Sequence, residues 1–335
     1  MSSTAPTTTP SREGSTSTTH TLLIVIVNYK TPDVTIDCLR SLAPEIPTVA
    51  TTHVVVADNA SGDDSLARIQ AAIDENEWAS WCTLAPLPKN GGFSYGNNRG
   101  YEAGPAAKYI LLLNSDTIVH PGCLKACIDV MERESDVGAM TCKLLNADGT
   151  VQVCTRRFPT PLRLVVRGLG LPWYLPSLFE WADTEDLQWD RATTKRDVDW
   201  IIGAFILTRG EIVQKLGLLD EAFFFYGEDI EFSHRLSKHG WRLLYDPTST
   251  TTHLGGSSSD PTRMAQAARS VQFWRGRYLV QRICYGRLAE FIVRAADTLL
   301  FGARALWHRF RSGKASDKYQ YNHAAYETIT SRLDL

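Results

Sequence analysis

Residues 22–27 read LLIVIV, an uninterrupted apolar run rich in β-branched side chains. A run this short, without the alternation of a half-exposed strand, predicts a strand covered on both faces, as in a parallel sheet. Thr31 and Pro32 come soon after it, an N-cap and a first-turn residue that open a helix to about Ala43. The same alternation recurs downstream. Strands are predicted at 53–57, near Cys82 and at 109–114, with helices at 63–74, 94–103 and 121–134. Residues 158–196 interrupt this rhythm, since Pro159, Pro161, Pro172 and Pro176 alternate with Trp173, Trp181 and Trp189. They predict an irregular excursion over the sheet. A second block then supplies a strand at 198–208, a helix at 209–216, a Phe-rich loop, a helix at 229–239 and a strand at 242–245. Strand and helix in alternation mean an α/β fold, a mostly parallel, doubly wound sheet flanked by helices.

The flanks differ from this core. Twelve of the first twenty residues are Ser or Thr, a composition that cannot repay the entropy of ordering, so 1–20 reads as a disordered tail. The α/β domain is expected over 21–258 and a basic, amphipathic helical region over 259–335. With 21% charged residues and a formal net charge of −2, the chain as a whole has no bias toward polyanions. Seven cysteines at scattered positions form no CxxC pair, which argues against a disulfide framework or a zinc knuckle and fits a reducing cytoplasm. No apolar run approaches the roughly 18 residues of a spanning helix, and the N-terminus lacks a signal-peptide pattern.

Ligands of such sheets sit at the carboxyl ends of the strands. Those positions are polar here: Asn28 and Tyr29 after the first strand, Asp58, Asn59, Ser61 and Asp63 after the second, Asn114, Ser115 and Asp116 after the fourth. Asn and Asp also cap helices, but three such sites on three core strands favour a ligand-binding rim. Asp116 offers a hard oxygen donor for Mg2+ or Mn2+ between two phosphates. The Gly-Asn-rich stretch 89–100 contributes Asn90, Gly91, Gly92, Asn97 and Asn98, glycines for close backbone approach and asparagines for sugar or ribose hydroxyls. At 223–229, FFFYGED places aromatics ahead of two adjacent acids. Adjacent carboxylates repel and raise one pKa, so Asp229 suits a general base while Glu228 orients the acceptor or the loop. His253, one helix and one strand further on, can return to the rim of Asp116 as a metal or diphosphate ligand.

These residues resemble glycosyltransferase family 2, over about 22–258. The motifs that carry the resemblance are IVNY at 26–29, DNAS at 58–61, NGGFSYGNNRG at 90–100, LLLNSDT at 111–117, GAFILTR at 203–209, LDEAFFFYGEDIEFSHRL at 219–236 and TTHLGG at 251–256. The resemblance implies a GT-A nucleotide-sugar-binding domain and an inverting transfer, with Asp58 reading the base and Asp116 ending a DxD-type metal motif. It further implies that Asp229 is the base and that His253 completes the metal shell. Asn114 stands where that motif has its first Asp. The subgroup resembled is the rhamnosyltransferases of cell-envelope polysaccharide assembly, which implies a dTDP-rhamnose donor and a membrane-linked glycan or polyprenyl-linked acceptor. Other donors of the family (galactofuranose, glucose, N-acetylglucosamine) remain open, as does a non-catalytic membrane-associated scaffold.

Between Arg263 and Lys314 eleven Arg or Lys face two acids, Glu290 and Asp297. Phe273, Trp274, Phe291, Leu299, Trp307 and Phe310 are spaced so that helices carry apolar and cationic faces. Such helices either lie in a membrane interface or pack on the catalytic domain with their arginines in solvent. The first alternative places the protein in the cytoplasm, peripheral at the inner face of the cell membrane. No nucleic-acid motif accompanies the charge.

Overall fold

A computed structural model of the chain describes residues 20–184, 193–255, 263–314 and 316–331. The expected tail at 1–20 lies, but for His20, outside the described residues. In chain order the elements are β1 (His20–Asn28), α1 (Pro32–Leu42), β2 (Thr52–Asp58), α2 (Ser65–Glu75), β3 (Cys82–Pro86), α3 (Gly92–Ala103), β4 (Ala107–Asn114), β5 (Thr117–Val119) and α4 (Cys123–Arg133). There follow β6 (Val137–Leu145), β7 (Val151–Gln152), β8 (Thr155–Arg156), α5 (Pro161–Gly168), α6 (Leu171–Tyr174), α7 (Pro176–Phe179), β9 (Arg196–Asp197), β10 (Trp200–Ile201) and β11 (Phe205–Arg209). The chain continues through α8 (Gly210–Leu216), α9 (Glu228–Lys238), β12 (Arg242–His253), α10 (Arg263–Val280), α11 (Arg287–Ser312) and α12 (Asp317–Thr330), with a π-helical turn at Gln281–Tyr285.

The main sheet has the order β3-β2-β1-β4-β11-β6-β12-β5. β1 runs parallel to β2 and β4, β2 to β3, and β6 to β12. β11 is wedged antiparallel between β4 and β6, and β5 antiparallel on β12. Six of the eight strands in that order therefore share one direction, which makes the sheet mostly parallel but not wholly so. Its core is continuous: Leu22 to Ile26 are fully buried, as are Val54, Val55, Val56 and Ile110 to Leu112. That is the burial expected of strands covered by helices on both faces.

Three departures from the sequence reading matter for the site. The strand expected at 198–208 is broken into β10 and β11, and the break at Ile202-Gly203-Ala204 turns backbone groups of 203 and 204 toward the strand-end rim. β6, which no periodicity flagged, is buried almost throughout, and β12 runs on past Tyr245 to His253 through a bulge between Asp246 and Thr250. None of the seven cysteines forms a disulfide, and six are buried, so they act as small apolar core residues.

The glycines of α3 serve packing. A Cβ at Gly96 would come within 2.8 Å of Val27, at Gly100 within 2.5 Å of Val25, and at Gly104, just past the helix, within 2.6 Å of Leu23. Spaced four apart, they lie on one face and let α3 rest on β1, which brings its N-terminal Gly92 to the rim. Gly100→Val should lower stability by about 1–3 kcal/mol through overpacking. Thermal unfolding checks this as a fall in Tm without loss of the folded baseline.

Candidate active site

At the carboxyl ends of β1 and β2 a buried polar network forms. Asn28, Asp58, Asn59 and Ser61 are each at most 3% exposed. Asn28 Nδ2 donates to Asp58 Oδ1 at 2.7 Å, Ser61 Oγ donates to the same oxygen at 2.6 Å, and the Ser61 amide donates to Asp58 Oδ2 at 3.1 Å. Thr35 Oγ1 in turn donates to Asn28 Oδ1 at 2.9 Å. Buried hydrogen bonding of this kind rigidifies a loop, and here it fixes the backbone that carries exposed Tyr29, while Asp58 Oδ2 accepts, among the described residues, only from the Ser61 amide. Asn59 reaches across to the glycine loop, donating to Asn90 Oδ1 at 3.1 Å and to the Gly92 carbonyl at 3.0 Å, and accepting from the Gly91 amide at 3.3 Å.

That loop is locked to the acidic segment. The Phe93 amide donates to the Phe224 carbonyl at 2.7 Å. Gly92 has φ +90°, and a Cβ there would sit 2.2 Å from the same carbonyl, so only glycine allows this approach. Asn97 and Asn98, expected to meet sugar or ribose hydroxyls, are engaged inside the fold instead. Asn97 donates to the Phe93 carbonyl at 3.0 Å, and Asn98 donates to Leu219 O and Glu221 Oε1 and accepts from the Leu219 amide.

A second group gathers where β4, β5 and β12 end. Antiparallel pairing sets Thr117 opposite His253, and the Leu254 amide donates to the Asp116 carbonyl at 2.9 Å. Residues 137 apart in the chain thereby meet, with His253 Nε2 lying 3.3 Å from Asp116 Oδ1 and 3.2 Å from Asn114 Nδ2. His253 Nδ1 faces Gln152 Oε1 at 2.6 Å. Gln152 Oε1 can only accept, so Nδ1 carries the hydrogen, and Nε2 accepts from Asn114 Nδ2 with its lone pair on the side of the site. The Asn114 Oδ1 is buried without a hydrogen-bond partner among the described residues. Carboxylate, imidazole nitrogen and amide oxygen suit Mg2+ or Mn2+. Among the described residues no three His, Cys, Asp or Glu side chains cluster as a metal site, so a cation held here by Asp116 and His253 would need most of its ligands from water and phosphate, as Mg2+ commonly does.

The acid pair sits at the start of α9, after the left-handed Tyr226 and Gly227 (φ 70° and 101°). Glu228 is buried, and its Oε2 has no hydrogen-bond partner among the described residues. Burial, and then the charge of Asp229, push Glu228 up to about 8. Burial also raises Asp229, to about 6, against opposing bonds from the Ile230 and Gly203 amides and the charge of Arg156. The two carboxyls titrate as a pair, both raised by burial, and Glu228 further raised by the charge of Asp229. Phe225 meets Phe93 and Tyr226 edge-on, with ring centroids 6.1 and 4.3 Å apart, at the mouth of this pair.

The three groups belong to one rim. The Gly203 amide donates to Asp229 Oδ2 at 3.2 Å, while the next residue, Ala204, accepts from the Asn114 amide at 3.0 Å. Sequence reading missed Gln152, Gly203 and Arg156. The Asp148-Gly149 pair between apolar segments is a hairpin signal, and it could have placed Gln152 on a returning strand. Nothing in the sequence marks the Gly203 amide, which matters only through the break in the strand.

Fold and rim together define the class, a GT-A glycosyltransferase. A mannosyltransferase from Pyrobaculum calidifontis, solved with GDP-Man and Mn2+, superposes with a TM-score of 0.51 at 13% identity, covering 93% of this chain and 85% of that one. GalNAc-T7 with UDP, GalNAc and Mn2+ gives 0.55 at 13% identity, covering 92% and 54%. The profile of the glycosyltransferase like family 2 matches residues 20–273, and the chain belongs to that family. It is 28% identical over 225 residues to the N-acetylglucosaminyl-diphospho-decaprenol L-rhamnosyltransferase of Mycobacterium tuberculosis, covering 64% of this chain and 68% of the relative. To a low-salt glycan biosynthesis hexosyltransferase of Haloferax volcanii it is 23% identical over 276 residues, covering 81% and 78%.

Because the folded state holds a proton on Glu228 that the unfolded chain releases above the ordinary carboxylate range, stability is lost as pH rises from about 4.5 to about 8. Glu228→Gln removes that loss. Its Tm should exceed that of the wild type by several degrees near pH 9, and the difference should fade toward about pH 5.

Proposed function

We propose that this glycosyltransferase moves rhamnose from dTDP-rhamnose to a polyprenyl-linked acceptor, with inversion at the anomeric carbon. The observation that carries the chemistry is the buried acid pair at the start of α9, with Asp229 Oδ2 held by the Gly203 amide and Glu228 Oε2 left without a partner among the described residues, linked through Gly203 and Ala204 to the rim of Asn114, Asp116 and His253. Environments that push two acids apart assign their roles. Asp229 takes the proton of the acceptor hydroxyl, and Glu228 donates from its unpartnered side to orient that acceptor. The hydroxyl then attacks the anomeric carbon from the face opposite the departing diphosphate. No second carboxylate is assigned as a nucleophile, so a single displacement is the route.

In the same reading Asn28, Asp58, Asn59, Asn90, Gly91 and Gly92 form the donor cradle, with Tyr29 exposed beside it and Asp58 on the base. Asn114, Ser115 and Asp116 line the diphosphate side. Asp116 and His253 would hold Mg2+ or Mn2+, which supplies neutralisation of the charge building on the leaving diphosphate. Rhamnose and the polyprenyl carrier are drawn from the name of the mycobacterial relative.

A lipid-linked acceptor places the enzyme at the inner face of the cell membrane as a peripheral protein. No helix among the described residues is long and apolar enough to cross a membrane. Support comes from α11, whose solvent side is apolar: Leu288, Phe291, Leu299, Trp307 and Phe310 are each 61–80% exposed. The two acids of this region are spent internally, Glu290 on Arg282 and Asp297 on Arg277, which leaves cationic side chains to meet anionic headgroups.

Asp229→Asn should bind donor but lose about 100-fold to 10,000-fold in kcat, with wild-type kcat/KM rising with pH through about 6. A thermal-shift panel of nucleotide sugars tests the donor: dTDP-rhamnose should raise Tm most, and a larger shift with another sugar nucleotide overturns that assignment. Gln152→Ala should weaken Mn2+ binding in the presence of dTDP about 10-fold to 100-fold, since it frees the His253 ring. Titration calorimetry reads this directly.

A further inference from the structure

The excursion after β8 is built in two layers. Its inner side is clamped by arginines: Arg163 donates to Phe158 O at 3.1 Å and Trp181 O at 3.0 Å and pairs with Asp199, Arg157 donates to Glu180 O at 3.1 Å, and Arg167 donates to Thr184 Oγ1 at 2.9 Å. Thr160 caps α5 by accepting from the Arg163 amide. Leu164 is buried in one cluster with Trp274, Tyr278, Val293 and Phe301 of the C-terminal helices. A segment held this firmly could have turned polar side chains outward. Instead Leu162, Leu169, Trp173, Tyr174 and Leu178 are 62, 58, 64, 81 and 65% exposed.

This inverted surface continues into α11. Gly168 lies against Leu300, where a Cβ would be 3.2 Å away, and its carbonyl accepts from Arg304 at 2.9 Å. The seam is one residue from exposed Leu169 on one side and one residue from exposed Leu299 on the other. Along α11 Arg287, Arg304, Arg309 and Arg311 are exposed and have no acidic partner among the described residues, and Arg304 lies at the seam itself. Contiguous apolar area of this kind on a protein surface marks a site of contact. A cationic border and aromatic rings that carry one polar edge suit the headgroup level of an anionic bilayer.

We propose that α5–α7 form a second membrane-inserting element, which enters an anionic bilayer together with α11 and fixes the orientation of the catalytic domain above it. This rests on the peripheral-membrane reading of α11 and adds a surface to it. The full chain is sedimented with vesicles of phosphatidylcholine alone and of phosphatidylcholine with one third phosphatidylglycerol. Wild type should bind the anionic vesicles and be released by salt. The double substitution Trp173→Ser with Leu178→Ser should cut that binding at least tenfold with Tm unchanged, because both side chains are exposed. Leu299→Ser with Phe310→Ser should also lose binding. Loss in the α11 variant but not in the α5–α7 variant overturns this inference and leaves the α11 reading standing. Loss in neither overturns both. A lipid-free dimer in sedimentation velocity that the α5–α7 substitutions abolish also overturns it, since the face would then meet a second copy of this chain. Should the double variant unfold, Trp173→Phe serves: brominated lipids should quench less of its tryptophan emission than of the wild type's, and equal fractional quenching overturns the proposal.

Discussion

Gly203 and Ala204 are neighbours in the chain, yet the amide of one holds Asp229 and the carbonyl of the other holds the backbone of Asn114. That pair of bonds ties the acid segment to the end of β4. They exist because β11 enters the sheet antiparallel, with its first residues beside the carboxyl end of β4. A parallel strand in that place would start at the opposite edge, and the acid pair of α9 would have no amide to lean on. The second tie, from the Phe93 amide to the Phe224 carbonyl, joins the donor loop to the same acidic segment. The proposed donor cradle and diphosphate rim are thus tied to the acid segment by two backbone bonds, which side-chain substitution leaves in place, and by one bond from a backbone amide to the Asp229 carboxylate.

The first half of the sheet was legible in the sequence because its strands are buried on both faces and its helices carry clear starts. LLIVIV, Thr31-Pro32 and the polar residues closing each strand were enough to place β1 to β4 and their rim. The second half was not, for physical reasons. β6 contains Gly138, Thr141 and Cys142 and shows neither alternation nor an unbroken run, and its burial comes from neighbours distant in the chain. The break at 202–204 leaves no mark in composition. Asn97 and Asn98 looked like ligand donors because residue type was visible and direction was not; Asn97 is buried and donates to the Phe93 carbonyl, and partly exposed Asn98 bonds to Leu219 and Glu221. The proximity of His253 to Asp116 was inferred from element order, whereas the Gln152 that orients the ring required the hairpin to be folded.

The C-terminal helices do not simply append to this domain. Gly276 of α10 abuts the Tyr226 carbonyl so closely that a Cβ would be 2.0 Å from it, and Val280 packs against Gly227. The loop that presents the acids is therefore pressed between the glycine turn at 91–92 and α10. Docking on the catalytic domain, which the charge pattern set against membrane contact, does not exclude it: the inner faces of α10 and α11 hold the acid loop and α5, and the outer face of α11, with that of α5–α7, is the one proposed to meet lipid.

The central claim is that one rim holds both the donor diphosphate, with its metal, and the acid pair. A crystal grown with Mn2+ and dTDP tests it through the anomalous difference map at the manganese edge. We expect a single strong peak against Asp116 and His253, with the diphosphate between that peak and Asp229. A peak away from His253, or nucleotide density at the opposite edge of the sheet, would contradict the account.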